Sequence, residues 1–316
     1  MSFAVDDQAL AGLRPELVRY CYRVLGDGGL AEDAAQEVLL AGWRARERYD
    51  PARGSLRTWL YTIATRHCLD RLKAAVRREL PTDMVEHADP ASSTDRVLPA
   101  GSWITPLPDA LDPATAWEQR ETIRMAFVAA LQRLPPRQRV VLVLRDVYAL
   151  SAAETAAVLG TSETAVHSTL RRARRTIAAP SPGAAARSVD DRLLDDFVMA
   201  FERHDVHALA RLLTTDVITS MPPVAFWLSG IDEVSRAFAS RAGCVGHRLL
   251  RTSANGSPAF GQYAPEQGPG GETVYRPFAI VLLEVEGAAV STMVTYLDQR
   301  DRFAAFGLPE SFADPS

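Results

Sequence analysis

Residues 151–177 read SAAETAAVLGTSETAVHSTLRRARRTI, and their spacing predicts the local fold. Ser151 and Glu154 have the S-x-x-E spacing of a capping box, so a helix is expected to begin directly after Ser151. Gly160 follows at the position where a left-handed residue commonly ends a helix. The first half of the stretch therefore predicts a short helix that ends at a turn formed by Gly160.

The second half of the stretch predicts a longer, amphipathic helix. Thr161 or Ser162 can cap its first turn. Apolar residues then recur at steps of four, three and four, which makes one buried stripe: Val166, Leu170, Ala173 and Ile177. A short helix, a tight glycine turn and a longer helix are the signature of a helix-turn-helix.

The polar residues of the second helix are candidates for DNA contact. Residues at the start of such a helix reach base edges, and arginines further along contact phosphates, which position the protein. The candidates for contact with DNA at or next to the base edges are Ser162, Glu163, Thr164, His167, Ser168 and Arg171. The candidates for phosphates are Arg172, Arg174 and Arg175. The alternative is a solvated basic helix end, which the helix dipole favours by about 0.3–1 kcal/mol.

The charge of the chain is unevenly distributed. The 316 residues carry a net charge of −4, but residues 117–180 hold ten arginines against five acidic residues. Residues 181–316 hold 11 basic and 17 acidic residues. The acidic total therefore does not exclude nucleic-acid binding by the basic block.

The remaining composition indicates a cytoplasmic protein without a metal or a cofactor. Cys21, Cys68 and Cys244 are far apart and lack metal-ligand spacing, as expected of free thiols in a reducing compartment. No apolar run approaches the roughly 20 residues that span a bilayer, and no signal peptide is evident. No catalytic acid–base pair can be assigned.

The pattern along the chain predicts several domains. Two helical blocks are separated by a Pro- and Asp-rich linker, and the C-terminal part has paired strands around Glu286-Gly287 that favour an α+β domain with a curved antiparallel sheet. The predicted boundaries are 1–79, linker 80–117, 118–179, linker 180–189 and 190–316.

Three stretches carry a family resemblance: AEDAAQEVLLAGWR (31–44), SLRTWLYTIATRHCLDRL (55–72) and LPPRQRVVLVLRDVYAL followed by the helix-turn-helix (134–174). Together they resemble regions 2 and 4 of the extracytoplasmic-function group of sigma-70-type sigma factors. The resemblance covers 8–79 and 118–178, and implies two all-α domains. It also implies promoter recognition and transcription initiation with core RNA polymerase, through the β′ clamp and the β flap.

The resemblance assigns roles to residues of the first block. The first stretch resembles the helix that docks on the β′ clamp, and its contact residues are Glu32, Asp33, Gln36 and Glu37. The second resembles the segment that melts and reads the −10 element, with candidates Arg53, Arg57, Thr58, Trp59, Arg66, His67 and Arg71. Unstacked bases need aromatic surfaces and cations, which this segment supplies. The alternative for Trp59 is a core position.

The linker stretch GSWITPLPDAL (101–111) is similar to one in sigma factors that carry a C-terminal SnoaL-like domain, a cone-shaped α+β barrel of the nuclear transport factor 2 type. The implied interdomain residues are Trp103, Pro106, Pro108 and Asp109. If the linker docks on that domain, Trp103→Ala is expected to change promoter output with little loss of stability. The implied role of the domain is regulation in cis.

Two alternatives remain from the sequence alone. In the first, the C-terminal domain binds a small molecule or acts on it. The candidates that would line its pocket are Asp216, Met221, Phe226, Trp227, Asn255 and Tyr296. The competing role of each aromatic residue among them is core packing. In the second, the chain is a one-component repressor whose helix-turn-helix binds duplex DNA without polymerase.

Overall fold

The computed structural model describes residues 6–73, 77–91, 94–111, 122–177, 190–240, 244–268 and 270–313. The predicted linker 180–189 and the start of the block at 118–121 lie outside these residues. Contacts divide the chain into two units. The helical unit comprises residues 1–78, 104–107 and 114–181, and the mixed unit comprises 79–103, 108–113 and 182–316.

The described part of the helical unit contains eight α-helices. They are α1 (Asp7–Gly12), α2 (Arg14–Leu25), α3 (Gly28–Arg44), α4 (Leu56–Leu72), α6 (Met125–Gln132), α7 (Pro136–Leu142), α8 (Ala152–Leu159) and α9 (Glu163–Thr176). A 3-10 turn follows α3 at Arg46–Arg48, and a π-helical turn, Val143–Val147, follows α7. The side chains of Asp27 and Ser55 cap α3 and α4, as expected of short polar residues at these positions.

The core of the helical unit is built around α2. Tyr20, Cys21 and Tyr22 are fully buried in it, and α2 packs against α3, α4, α6 and α7. Gly26 ends α2 in the left-handed conformation, with φ of 70°, which glycine adopts at low cost.

The mixed unit combines helices with one sheet. Its helices are α5 (Pro81–Met84), α10 (Asp191–Glu202), α11 (Val206–Ala210) and α12 (Ile231–Ser240), with 3-10 turns at Asp109–Leu111 and Arg300–Phe306. Its strands are β1 (Leu213–Ser220), β2 (Trp227–Ser229), β3 (Arg248–Ala254), β4 (Ser257–Gln267), β5 (Thr273–Glu286), β6 (Ala289–Tyr296) and β7 (Phe312–Ala313).

The sheet is mixed and open. The strand order is β2-β1-β6-β5-β4-β3, with β7 paired to β5. The β5–β6 hairpin turns at the predicted Glu286-Gly287, and Gly287 has φ of 63°. The expected antiparallel sheet holds for the other pairs, but β1 runs parallel to β6. The described strands do not close on themselves, since β2 and β3 end the order without pairing to each other.

Both faces of the sheet are covered. One face and the helices enclose an apolar core that includes Phe197, Phe226 and Phe260. On β4, Gly261 packs against Leu308 and Phe303, which follow the sheet. A Cβ at position 261 would lie 2.5 Å from Leu308 Cδ1, so a larger residue there would force this packing to shift.

Candidate nucleic-acid interface

The helix-turn-helix is formed by α8 and α9 with the predicted caps. The Ser151 amide donates to Glu154 Oε2 at 2.8 Å, and the Glu154 amide donates to Ser151 Oγ at 3.1 Å. The hydrogen bond from the Ser151 backbone lowers the pKa of Glu154 below its usual value. Gly160 adopts φ of 61° at the turn. The capping box and the glycine turn predicted from the sequence are confirmed.

The recognition helix α9 presents a polar face to solvent. Ser162 caps it by accepting from the Ala165 amide at 3.2 Å. The predicted apolar stripe is buried at Val166, Leu170 and Ala173, and half-buried at Ile177. Among the DNA candidates, Ser168 is half-buried and the others are exposed: Ser162, Glu163, Thr164, His167, Arg171, Arg172, Arg174 and Arg175.

The exposed arginines of α9 differ in their surroundings. Arg174 makes a two-pronged ion pair with Asp146, at 2.9 and 2.6 Å. This pairing raises the pKa of Arg174. Arg172 instead donates to Thr169 Oγ1 at 3.2 Å on its own helix. A phosphate would therefore have to compete with Asp146 for Arg174, whereas Arg172 gives up only a neutral partner.

The predicted −10 segment forms α4 and the turn before it. Arg53 and Arg66 are exposed. The Thr58 hydroxyl forms a hydrogen bond with the hydroxyl of the capping residue Ser55, with 2.9 Å between the two oxygens. Trp59 is half-buried, with its ring 5.4 Å from that of Tyr49. Trp59 thus keeps part of its surface accessible while it packs within the unit.

His67 and Arg71 of α4 meet Glu37 of α3. His67 Nε2 lies 3.0 Å from Glu37 Oε2, and Arg71 Nη2 lies 3.1 Å from Glu37 Oε1. Arg71 also donates to His67 at 2.8 Å. The predicted DNA-contact and polymerase-contact residues therefore share one ion-pair cluster.

Arg57 is held differently from the other α4 candidates. It forms an ion pair with Glu16, which also accepts from the Tyr61 hydroxyl. Burial lowers the pKa of Arg57, but its hydrogen bond to Glu16 and the nearby Tyr61 and Glu16 together outweigh burial and raise the Arg57 pKa above its usual value. Its guanidinium also lies over the rings of Tyr61 and Tyr148, at 5.4 and 5.6 Å.

The acidic face of α3 is accessible beside two apolar residues. Asp33, Gln36 and Glu37 are exposed and Glu32 is half-buried. One turn on, Leu40 and Trp43 are each 45% exposed, although large apolar side chains are usually buried. Carboxylates beside an exposed apolar pair form a surface suited to a protein partner.

The GSWITPLPDAL stretch is anchored by hydrogen bonds within the mixed unit. The Trp103 indole N–H donates to Asp298 Oδ2 at 3.1 Å, and Trp103 is buried. Asp109 accepts from the Gly256 amide at 3.0 Å, and Pro108 bridges to Ala254. Pro106 is buried within 104–107, which belongs to the helical unit.

An earlier part of the linker also pairs within the mixed unit. The Leu98 amide donates to Pro223 O at 2.7 Å, next to a bridge between Val97 and Val224. The Trp227 indole donates to Val85 O at 2.9 Å, and the Ala88 amide donates to Trp227 O at 3.0 Å. These contacts hold the earlier part of the linker against β2 and the segment that leads into it.

The six pocket candidates lie in different surroundings. Phe226 and Tyr296 are buried, Met221 is half-buried and Asp216 is exposed. The Trp227 indole donates a hydrogen bond to the Val85 carbonyl of the linker. Asn255 precedes Gly256 at the β3–β4 turn and has φ of 57°. Trp227 and the turn at Asn255 thus lie where the linker docks.

Several residues of the helical unit were not found by sequence reasoning. Glu16, Tyr148 and Arg139 make contacts that join the N-terminal helices to the segment that precedes the helix-turn-helix. Their partners are distant in sequence, so no local spacing or motif could have revealed them.

Comparison with known proteins defines the class. Residues 11–78 match the Sigma-70 region 2 family, and residues 124–177 match Sigma-70 region 4. These two regions, in this order, are those of a sigma-70-type transcription initiation factor.

Similar proteins specify the family. The chain is 40% identical over 312 residues to the ECF RNA polymerase sigma factor SigG of Mycobacterium tuberculosis, which covers 94% of this chain and 82% of SigG. It is 33% identical over 216 residues to SigJ of the same organism, covering 65% of this chain and 61% of SigJ. The chain belongs to the ECF (extracytoplasmic-function) RNA polymerase sigma factors.

A solved structure extends the similarity over both units. The crystal structure of Mycobacterium tuberculosis SigJ superposes with a TM-score of 0.60 and 27% identity, and it covers 96% of this chain and 100% of that one. The predicted fold class, two sigma domains followed by a SnoaL-like α+β domain, is confirmed. No α-helix within the described ranges has both the length and the apolar character needed to span a membrane.

Proposed function

We propose that this sigma factor reads the −35 element with the exposed face of α9 and the −10 element with α4. The observation that carries the proposal is the accessibility of α9, whose polar residues face solvent while its apolar stripe packs inward. An exposed recognition helix with arginines towards its end combines base-edge and phosphate contacts. In this proposal His167 and Arg171 contact bases, and Arg172 and Arg175 contact phosphates.

The surface for core RNA polymerase is the acidic face of α3 together with Leu40 and Trp43. Tryptophan is among the residues that most often contribute large shares of the binding free energy at the centre of an interface, and charged residues at its rim orient the partner. Region 4 contributes the second contact, with the β flap. Because it works with the transcription machinery, the protein acts in the cytoplasm.

The SnoaL-like domain regulates the sigma regions in cis by holding the linker. Trp103 and Asp109 anchor one part of the linker on this domain, and residues 96–98 pair beside β2. Phe226, one of the six pocket candidates, packs in the apolar core of the domain, which supports a packing role for this residue. A small-molecule ligand of the domain is kept as a testable alternative.

Transcription in vitro tests the promoter assignment. Core polymerase with the full chain is expected to start at a defined promoter, and His167→Ala and Arg171→Ala should relax base preference within the −35 element by about 1–3 kcal/mol per contacted base pair. Glu47→Gln, on the exposed turn after α3, is the matched control and should keep the wild-type preference. Absence of any promoter-dependent transcript would contradict the proposal, and duplex binding without polymerase would favour a repressor.

The regulatory assignment needs a separate measurement. Asp109→Ala should alter transcript yield while leaving the −35 preference unchanged, since it acts on the linker and not on α9. A thermal-shift screen with small molecules on the full chain distinguishes a sensor, which is stabilised without turnover, from an enzyme. Unchanged yield for Asp109→Ala would refute regulation through the linker.

A further inference from the structure

One side of α4 carries three of the −10 candidates in a single row. Half-buried side chains recur there at steps of four: Trp59, Ile63, His67 and Arg71. Residues four apart on a helix lie along one ridge. An aromatic ring, an imidazole and a guanidinium therefore follow one line along the surface of α4.

Helix α3 flanks this row. A Cβ at Gly42 would lie 3.7 Å from Cζ3 of the Trp59 ring, so α3 passes close to the aromatic end of the row. Glu37, earlier on α3, contacts His67 and Arg71 at the other end. Because α3 and α4 run in opposite directions, α3 borders the row from its aromatic end to its cationic end.

The carboxylate of Glu37 is shared between His67 and Arg71. Oε2 lies 3.0 Å from His67 Nε2, and Oε1 accepts from Arg71 Nη2 at 3.1 Å. Both oxygens are therefore directed at α4, although Glu37 belongs to the acidic face of α3. The side chains of His67 and Arg71 are 26% and 28% exposed, which leaves part of each within reach of DNA.

Arg71 in turn sets the tautomer of His67. Arg71 Nε donates to His67 Nε2 at 2.8 Å. This bond needs a lone pair on Nε2, so neutral His67 carries its proton on Nδ1. If the imidazole takes a second proton, Nε2–H faces Glu37 Oε2 and Nδ1 still carries a proton. His67 therefore offers Nδ1–H as a hydrogen-bond donor in both states.

Arg71 keeps donors for a further acceptor. A guanidinium has five N–H donors. The bonds to His67 and Glu37 use Nε and Nη2, and Nη1 takes part in neither. An arginine fixed at one edge can still donate to a phosphate or a base edge. Because its rotamer is already fixed, less side-chain freedom is lost when DNA binds.

We propose that Glu37 is a positioning residue for −10 recognition, which holds Arg71 and, through Arg71, His67 in the conformation that meets the unstacked bases. The inference rests on the proposed role of α4 and gives Glu37 a function besides the polymerase contact. A single strand binds to aromatic surface and to cations, and Trp59 and Arg71 supply these along the row. Glu37 acts through its two neighbours and does not itself contact DNA.

Binding of a −10 oligonucleotide tests this role. The probe is the labelled non-template strand of the −10 element from a promoter at which the wild-type holoenzyme starts, with core polymerase saturating each variant. Glu37→Ala should weaken binding roughly three- to tenfold, and Glu37→Gln, which can still accept from Arg71, should lose less. Glu47→Ala, on the exposed turn after α3, is the matched control and should bind like the wild type. Unchanged binding by Glu37→Ala would overturn the inference. Tighter binding would also overturn it, because Glu37 would then compete with DNA for Arg71.

A double-variant cycle tests whether Glu37 acts through Arg71. Arg71→Ala should weaken oligonucleotide binding by itself, and Glu37→Ala should add little to that loss. Equal losses from Glu37→Ala with and without Arg71 would overturn the positioning role while leaving the −10 role of α4 intact. If Arg71→Ala and His67→Ala both bind like the wild type, the −10 role of α4 is wrong and the inference fails with it.

Nitrogen-15 NMR of the imidazoles gives a readout that does not depend on DNA. The chain has six histidines, and His67→Gln identifies the signals of His67 in the full chain. Neutral His67 should be protonated on Nδ1 in the wild type. Glu37→Ala should shift it to a mixture of tautomers, because Arg71 is no longer held beside Nε2. A wild-type His67 protonated on Nε2 alone, or the same tautomer in both proteins, would contradict the positioning role.

Discussion

Removal of the Trp103 indole N–H is expected to release the linker from the mixed unit. Trp103 is only 6% exposed, and its N–H lies 3.1 Å from Asp298 Oδ2. A hydrogen bond to a charged group contributes about 1.5–3 kcal/mol. Trp103→Phe keeps most of the apolar surface and loses this bond. Since about 1.4 kcal/mol corresponds to a factor of ten, local opening should become roughly 10- to 100-fold more frequent.

Hydrogen exchange at neighbouring amides measures this opening directly. The Glu79 amide donates to Ser102 O at 2.9 Å, and the Ser102 amide donates to Pro99 O at 3.1 Å. Both amides should exchange faster in Trp103→Phe, because exchange reports local opening in the native state. Asp298→Asn should also speed exchange at the same two amides. The loss in the free energy of local opening should be smaller in the double variant than the sum of the losses in the two single variants.

Trp43 provides a matched control for the substitution at Trp103. Trp43→Phe makes the same substitution at an exposed residue and should leave exchange at Glu79 and Ser102 unchanged. Exchange within twofold of the wild type in Trp103→Phe would show that the indole bond does not hold the linker. The sequence-based expectation that Trp103→Ala leaves stability nearly intact changes with this burial, since loss of a buried tryptophan costs about 3–5 kcal/mol.

Two further predictions concern the helix-turn-helix. The pKa of Glu154 is lowered in the folded state by the Ser151 backbone bond, so its contribution is present above the unfolded pKa, near 4.5, and is lost as pH falls through the lower folded value. Glu154→Gln should lower the melting temperature at pH 7, and this difference should shrink in acid; an equal difference at pH 7 and pH 3 would contradict it. Arg172→Ala should reduce the slope of log affinity for promoter DNA against log salt by about 0.9. Arg174→Ala should reduce it less, because Arg174 is paired with Asp146, and equal slopes for the two variants would refute this distinction.

The local signals of this chain were sufficient to predict the helix-turn-helix. The Ser151–Glu154 capping box, the turn at Gly160 and the cap at Ser162 depend on hydrogen bonds between residues three positions apart or on one backbone conformation. Such features are encoded by neighbouring residues and need no tertiary context. The same holds for the β5–β6 hairpin, which turns at Gly287.

The tertiary structure decided which of the predicted site residues are accessible. Arg57 has the residue type and the position of a DNA contact and stays 43% exposed, yet its guanidinium is already paired with Glu16 and lies over the Tyr148 ring. Trp103 was expected to be an interdomain contact, but its hydrogen-bond partner Asp298 lies 195 residues away in the sequence and could not be named from it. The parallel pairing of β1 with β6 likewise leaves no local pattern in the sequence. These contacts depend on which distant surfaces pack together, since burial and charge pairing are fixed only when the chain has folded.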